Sequence, residues 1–469
     1  MPELSRQRRL LVLGICCSAL LIVSLDNTIL NVALPSLRKD LHASVSGLQW
    51  TIDAYVVVLA SLLMLAGSTA DRIGRRRTFQ TGLALFTLGS ALCSLAPGLN
   101  WLIAFRMVQA VGGCMLNPVA MSIITNTFTD PRERARAIGV WGGVVGISMA
   151  AGPIVGGALV QSVGWRSIFW INVPVGLAAL VLTARYVPES RAPKPRRMDP
   201  VGQTLMIVML GSVAYGIIEG RPAGWTSPQI VGCFALGLCA LLGLVAYENR
   251  RVEPLIEPRL FRSAPFAGAT ALAVCAFAAL AGFLFLNMLY LQENRRMSAL
   301  EAGLHLLPMA AMCMVFAPLS GRLVGSRGPR LPLVLAGVAM TASGVLFAAF
   351  DAETSDPLLF TGYVLFGIGF GLVNAPITNT AISGMPRDRA GVAAAVASTS
   401  RQVGTSLGVA VIGAAVAAGA TVTAWWIITG CGLAVLALGT ITTGRWAAGT
   451  AERAAARIQT DQSRIPVTT

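Results

Sequence analysis

What most constrains this chain is a near-unbroken succession of apolar runs, each about the length that crosses a bilayer, separated by short polar loops. A hydrocarbon core about 30 Å thick takes roughly 20 residues at 1.5 Å rise per residue. Inside it no water satisfies backbone groups, so only helices or closed barrels cross, and these runs are too long for barrel strands. Helices are expected near 9 to 33, 47 to 68, 78 to 97, 100 to 124, 136 to 160, 167 to 187 and 201 to 218. Seven more are expected near 228 to 247, 265 to 291, 300 to 323, 331 to 350, 358 to 382, 394 to 418 and 422 to 444. Charged residues are only 12% of the 469 and apolar ones 55%, a balance foreign to soluble domains. The expected class is an all-α integral membrane protein of fourteen transmembrane helices.

The net charge of +15 raises nucleic acid as a partner, but the arginines lie in loops between apolar runs and form no basic face. Topology accounts for them better, and no nucleic-acid partner is expected. With the N-terminus inside, 28 of the 36 Lys and Arg fall in cytoplasmic segments and 6 outside, with Arg106 and Arg401 within spans. The positive-inside rule then puts both termini in the cytoplasm. Arg6, Arg8 and Arg9 before the first run also suit a signal peptide, but no small-x-small cleavage site precedes Asp26, so the run reads as a retained helix. All nine cysteines fall within the runs at no metal-ligand spacing and read as packing residues. No metal or cofactor is expected. Without a phosphate-binding loop nothing indicates nucleotide hydrolysis, so an ion gradient is the expected energy source.

Polar interruptions at Pro188 to Pro200 and Glu248 to Pro265 divide the chain. Residues 1–187 are expected to form a six-helix bundle, 188–264 a linker with two inserted helices, 265–445 a second six-helix bundle, and 446–469 a disordered cytoplasmic tail. Two such halves match transporter repeats related by an axis along the membrane normal. A weak echo supports this: Gly67, Asp71, Gly74 and Arg75 after the second run find a counterpart in Gly321, Gly325, Gly328 and Arg330, without the aspartate.

Four blocks carry a resemblance. They are LDNTILNVALP (25–35), GSTADRIGRRR (67–77), RMVQAVGG (106–113) and GISMAAGPIVGG (146–157), supported by GWRSIFWINVPVG, ALEAGLHLLPM and RQVGTSLGVAVIG. Together they resemble the major facilitator superfamily, specifically its fourteen-helix drug:proton antiporters. Thr69 departs from the family's usual Leu and Ala110 from its usual Gly, while the charged positions are intact. The resemblance implies a gating latch at Gly67, Asp71, Arg72, Gly74 and Arg75, in which Asp71 and Arg75 contact the other half in the outward-facing state. It also implies an antiporter signature at Gly146, Gly152, Pro153, Gly156 and Gly157. Simple positive-inside anchoring explains Arg76 and Arg77 equally well.

A carboxylate within a membrane helix is costly and is read by default as functional. Asp26 lies roughly 10 Å from the outer end, and Asp53 and Arg106 roughly 9 Å, so all three share one layer. Burial favours the neutral acid and a neighbouring arginine the carboxylate, so movement between these settings loads and releases a proton. Arg106 is permanently charged and tunes the acid without carrying the proton. A static ion pair that fixes helix packing remains the alternative. In the fifth run Gly139 and Gly143, Gly142 and Gly146, and Gly152 and Gly156 lie four apart, which suits close helix approach, and Pro153 is expected to bend the helix. Asn287, His305, Asn374, Asn379 and Gln402 are candidates for the cavity lining, with interhelical bonding or packing as the alternative.

The expected function is export of a hydrophobic or amphipathic compound across the cell membrane by a monomer in contact with lipid, with protons as the coupling ion. A metabolite exporter or uptake symporter fits the same scaffold. A membrane enzyme would have only Asp26 and Asp53 to work with and no nearby nucleophile.

Overall fold

Helix is the regular structure throughout the described residues of the computed structural model, which are 5–192, 199–251, 256–351, 353–383 and 390–463. Parts of both polar interruptions, 193–198 and 252–255, lie outside them. The first half comprises α1 (Arg6–Asp40), α2 (Val45–Ile73), α3 (Arg75–Ser94), α4 (Leu99–Thr127), α5 (Pro131–Ser162) and a sixth stretch split into α6 (Ser167–Trp170) and α7 (Asn172–Tyr186). A hairpin of α8 (Pro200–Glu219) and α9 (Pro228–Glu248) follows. The second half holds α10 (Ala264–Leu289), α11 (Ala299–His305) continued by α12 (Leu307–Arg327), α13 (Arg330–Ala348), α14 (Asp356–Ile382), α15 (Ala390–Ala417) and α16 (Thr421–Ile441). Then comes α17 (Arg445–Ser463).

Local chemistry sets the ends. The side chains of Ser5, Ser44, Asp130, Asp199, Ser227 and Ser298 accept backbone N–H bonds at helix starts. Pro131, Pro200 and Pro228 open α5, α8 and α9, where a missing N–H costs nothing. The turns after α2 and α12 pass through Gly74 and Gly328 at φ 122° and 77°, conformations that L side chains rarely adopt.

Among the described residues twelve helices, taking α6–α7 and α11–α12 as single stretches, are long and apolar enough to cross a membrane. Two more, α3 and α15, are of comparable length, α3 packed on α4 and α7 and α15 on α10 and α2. The tail expectation needs correction. Residues 445–463 are helical, with Ala447, Ala451 and Ala454 buried and Thr450 accepting from the Ala264 N–H at 2.9 Å. The alanines repeat at helical spacing, a signal outweighed in the sequence by the charges between them.

The halves meet along two seams, α2 with α15 and α5 with α11 and α12. The starts of α1 and α5 and the end of α7 lie together at one end, where Arg9 pairs with Glu133 and Arg8 donates to the Tyr186 carbonyl. At the far end the halves are tied together: Arg38 pairs with Glu293 at 2.8 Å and Gln292 donates to the Val32 carbonyl at 3.0 Å. The hairpin is fastened to α2 by two polar bonds, from Trp50 Nε1 to Glu219 at 2.7 Å and from Gln203 to the Ser61 carbonyl.

Candidate functional site

The centre of the first half holds one buried polar cluster. Arg106 Nη1 on α4 donates to Asp26 Oδ2 on α1 at 2.5 Å and to Gln109 Oε1 at 2.7 Å. The other carboxylate oxygen accepts from Gln109 Nε2 at 2.9 Å and from Asn172 Nδ2 at 3.1 Å. Ser90 Oγ on α3 accepts from both amides, at 2.7 Å from Gln109 and 3.3 Å from Asn172. Arg106 Nε donates to the Thr51 carbonyl of α2 at 3.2 Å, and the guanidinium lies 4.2 Å from the Tyr55 ring centroid. Asp26 is 3% exposed and Arg106 not at all, so both charges have left water and rely on these partners. Both Asp26 oxygens are satisfied by these donors, and the arrangement is a buried charge pair held by amides.

Depth brings Asp26 and Arg106 together as expected, but leaves Asp53 apart from them. The Asp53 side chain is wholly buried and faces α15, where Ser406 is the polar group beside it. Gln109, Asn172, Ser90 and Tyr55 were not singled out from the sequence. Gln109 lies inside the RMVQAVGG block one turn beyond Arg106, and Asn172 inside GWRSIFWINVPVG, so both were within reach of a reading that asked which polar residues share a face with the charge.

The α2–α3 turn is internally bonded. Asp71 pairs with Arg75 at 3.2 Å, its carbonyl accepts from Ala192 N–H at 3.2 Å, and Arg75 N–H donates to the Ser190 carbonyl at 2.9 Å. Glu189 accepts from the Arg76 N–H at 3.1 Å, at the positive end of α3. The segment after α7 therefore straps this turn, and the bonds of Asp71 and Arg75 stay within the first half and its strap. Arg72 is exposed, and open space surrounds Gly67.

The fifth helix divides in two. A Cβ at Gly152 or Gly156 would meet Thr28 or Ile29 of α1, one at Gly157 would meet Ala299 and Leu300, and Gly303 is pressed against the Pro153 carbonyl. Gly139, Gly142, Gly143 and Gly146 have nothing within 4 Å of such a Cβ, so close approach fails there. The helix runs on through Pro153. A void of about 10 Å³ lies at this junction of the halves, bordered by Thr28, Asn31, Pro153, Met288 and Met309.

The proposed lining residues scatter. Asn287 is buried within the second half, donating to the Phe283 carbonyl at 3.0 Å and accepting from the Tyr363 hydroxyl at 2.9 Å. His305 Nδ1 donates to the Glu301 carbonyl at 2.8 Å, and the ring stands 3.8 Å from Asp356, between α11 and α14. Asn374 and Gln402 are half-buried and Asn379 exposed, near Arg401, which donates to Thr378 Oγ1 at 2.6 Å. Among the described residues no group of His, Cys, Asp and Glu could hold a metal.

Residues 16–409 match the Major Facilitator Superfamily. The chain is 39% identical over 402 residues to the multidrug resistance protein Stp of Mycobacterium tuberculosis, covering 85% of this chain and 74% of that one. It is 38% identical to the tetracenomycin C resistance and export protein of Streptomyces glaucescens, over 84% and 73% of the two chains. Identity to the methylenomycin A resistance protein of Bacillus subtilis is 32%, over 91% of each. The fold is also that of a solved POT family transporter in complex with 5-aminolevulinic acid, at TM-score 0.70 and 14% identity over 92% and 96% of the chains.

Proposed function

The chain belongs to the Major Facilitator Superfamily and is a membrane transporter, and on that premise we propose that it exports hydrophobic or amphipathic drugs in exchange for protons by alternating access. Its relatives are named for resistance to, or export of, antibiotics. In this reading all fourteen long helices cross the cell membrane, with both termini in the cytoplasm.

The observation that carries proton coupling is the Asp26–Arg106 pair, buried at the centre of the first half and held there by Gln109, Asn172 and the Thr51 carbonyl. Inward proton flow neutralises Asp26, frees Arg106 to turn to Gln109 and the Thr51 carbonyl, and so shifts α1 against α4. The ties between Arg38 and Glu293 and between Gln292 and Val32 close the outer end, so this conformation faces inward. The Asp71–Arg75 latch is then released from the other half and held by its strap, as a latch specific to the outward-facing state requires. Gly152, Pro153, Gly156 and Gly157 form the pivot where α5 bears on both α1 and α11.

The test is transport in proteoliposomes under an imposed pH gradient, with a fluorescent lipophilic cation as probe. Wild type should move probe against protons and lose that movement with an uncoupler. Asp26→Asn should lose proton-driven transport while still binding the probe; full proton-coupled export by that variant sinks the assignment.

A further inference from the structure

Asp53 lies eight residues along α2, about 12 Å from its start, and is entirely buried at the seam between the halves. It belongs to a stripe on α2 at four-residue spacing. Gln49 donates across the seam to the Val409 and Ala410 carbonyls of α15 at 3.2 and 2.7 Å, Val57 follows, and the Ser61 carbonyl is bonded to Gln203 of α8. Among the described residues neither Asp53 oxygen has a hydrogen-bond partner in proper geometry. The Ser406 hydroxyl stands beside it without forming a bond in proper geometry.

Charges on the surrounding helices are engaged elsewhere. Asp26 of α1 and Arg106 of α4 bind each other. Glu219 of α8 holds Trp50, Arg401 of α15 donates to Thr378, and Arg75, Arg76 and Arg77 of α3 lie at the terminal end around Asp71 and Glu189. One turn beyond Asp53 a cavity of about 340 Å³ opens between α2, α8, α9 and α15, with Ser406 the one side chain among its lining that carries a polar group. Water needs two to four polar partners to be held in such a space, and this lining supplies only the Ser406 hydroxyl. A carboxylate without partner, counter-ion or water is among the costliest groups to bury, while a neutral acid costs far less.

We infer that Asp53 is a second proton site, built into the α2–α15 seam, which takes up a proton from water as the seam closes and returns it to water when the seam opens. This rests on the alternating-access reading above, but not on Asp26 being the coupling acid. The closed conformation binds one more proton than the open one. Closure is therefore favoured as pH falls and opening as pH rises, and a single proton limits the change in open-to-closed ratio to about tenfold per pH unit. Asp26 differs in kind, since its two carboxylate oxygens accept from Arg106, Gln109 and Asn172 within the first half.

The experiment is hydrogen exchange of the α2 and α15 segments, followed by mass spectrometry across pH on the full chain in lipid nanodiscs and corrected for intrinsic exchange. Wild type should open up to tenfold more per pH unit over part of the range. Asp53→Asn, an isostere of the neutral acid, should stay at the closed level at every pH, and Tyr363→Phe, which alters a neutral bond away from the seam, should keep the wild-type slope. If Asp53→Asn does not fold, Asp53→Glu should shift the midpoint of the wild-type transition. A wild-type slope in Asp53→Asn, or an unmoved midpoint in Asp53→Glu, overturns the proposal. Because the readout is seam opening, failure of drug export in the proteoliposome assay leaves this test intact.

Discussion

The two halves solve the same packing problem at their centres with opposite chemistry. Arg106 stands seven residues beyond the first residue of α4, and Tyr363 seven beyond the first of α14, the corresponding helix of the second half. Arg106 reaches the first helix of its half at Asp26; Tyr363 reaches the first helix of its own half at Asn287. Around the ion pair are amides and a hydroxyl. Around the neutral pair are rings, with Phe283 stacked on Phe366 at 3.9 Å and Phe347 on Trp425 at 4.7 Å. A neutral hydrogen bond among aromatics keeps its geometry through any physiological pH, whereas an ion pair is one proton from rearrangement. On the proposed mechanism the central pair of the first half is the one a proton would rearrange, and the neutral pair of the second half is the one it would leave in place.

The largest break in that contrast comes from Arg106→Leu. Stranding one partner of a buried ion pair costs about 3–5 kcal/mol, measured as a fall in unfolding temperature of the purified protein. The pair Asp26→Leu with Arg106→Met removes both charges and should regain most of that stability while transport stays lost. If both readouts recover, the pair has no part in coupling. On the other side, Tyr363→Phe removes one neutral bond and should cost about 1 kcal/mol, with no change in the pH profile of transport, because Asn287 keeps its bond to the Phe283 carbonyl.

A finer contrast lies in the two turns at the terminal end. Gly74 has a Glu189 carboxylate where a Cβ would sit, and Gly328 has open space. Each stands at positive φ, so alanine should cost about 1 kcal/mol at Gly328 and visibly more at Gly74, by thermal unfolding. Equal losses would mean the strap yields freely. Smallest of all, Glu189→Gln should cost about 0.5 kcal/mol, the usual scale for a carboxylate at a helix start, and Arg77, 63% exposed and 3.8 Å away, should matter little.

The fold was legible because the bilayer restricts what apolar runs of this length can do, and depth along each run was enough to bring Asp26 to Arg106. Rotation about the helix axis was not legible. Depth put Asp53 in the same layer, yet its side chain turns to the other seam, and Asn287 turns into its own half. The glycine pairs show the same limit: spacing finds a smooth face but not what presses on it, so Gly152 and Gly156 touch α1 while Gly139 and Gly143 touch nothing. Gln109 and Asn172 went unremarked because an amide is cheap enough in a membrane helix to pass as packing, until a carboxylate oxygen is found to depend on it.

The hairpin of α8 and α9 has its own consequence. Its polar bonds to the first half, at Trp50 and Ser61, both go to α2, while its approach to α15 is apolar and leaves a cavity between them. On the alternating-access reading, a hairpin fastened to one half is dragged sideways through lipid whenever that half turns, like a keel. The viscosity and thickness of the surrounding bilayer would then enter the turnover rate directly, and a stiffer membrane should slow this transporter more than one without the hairpin.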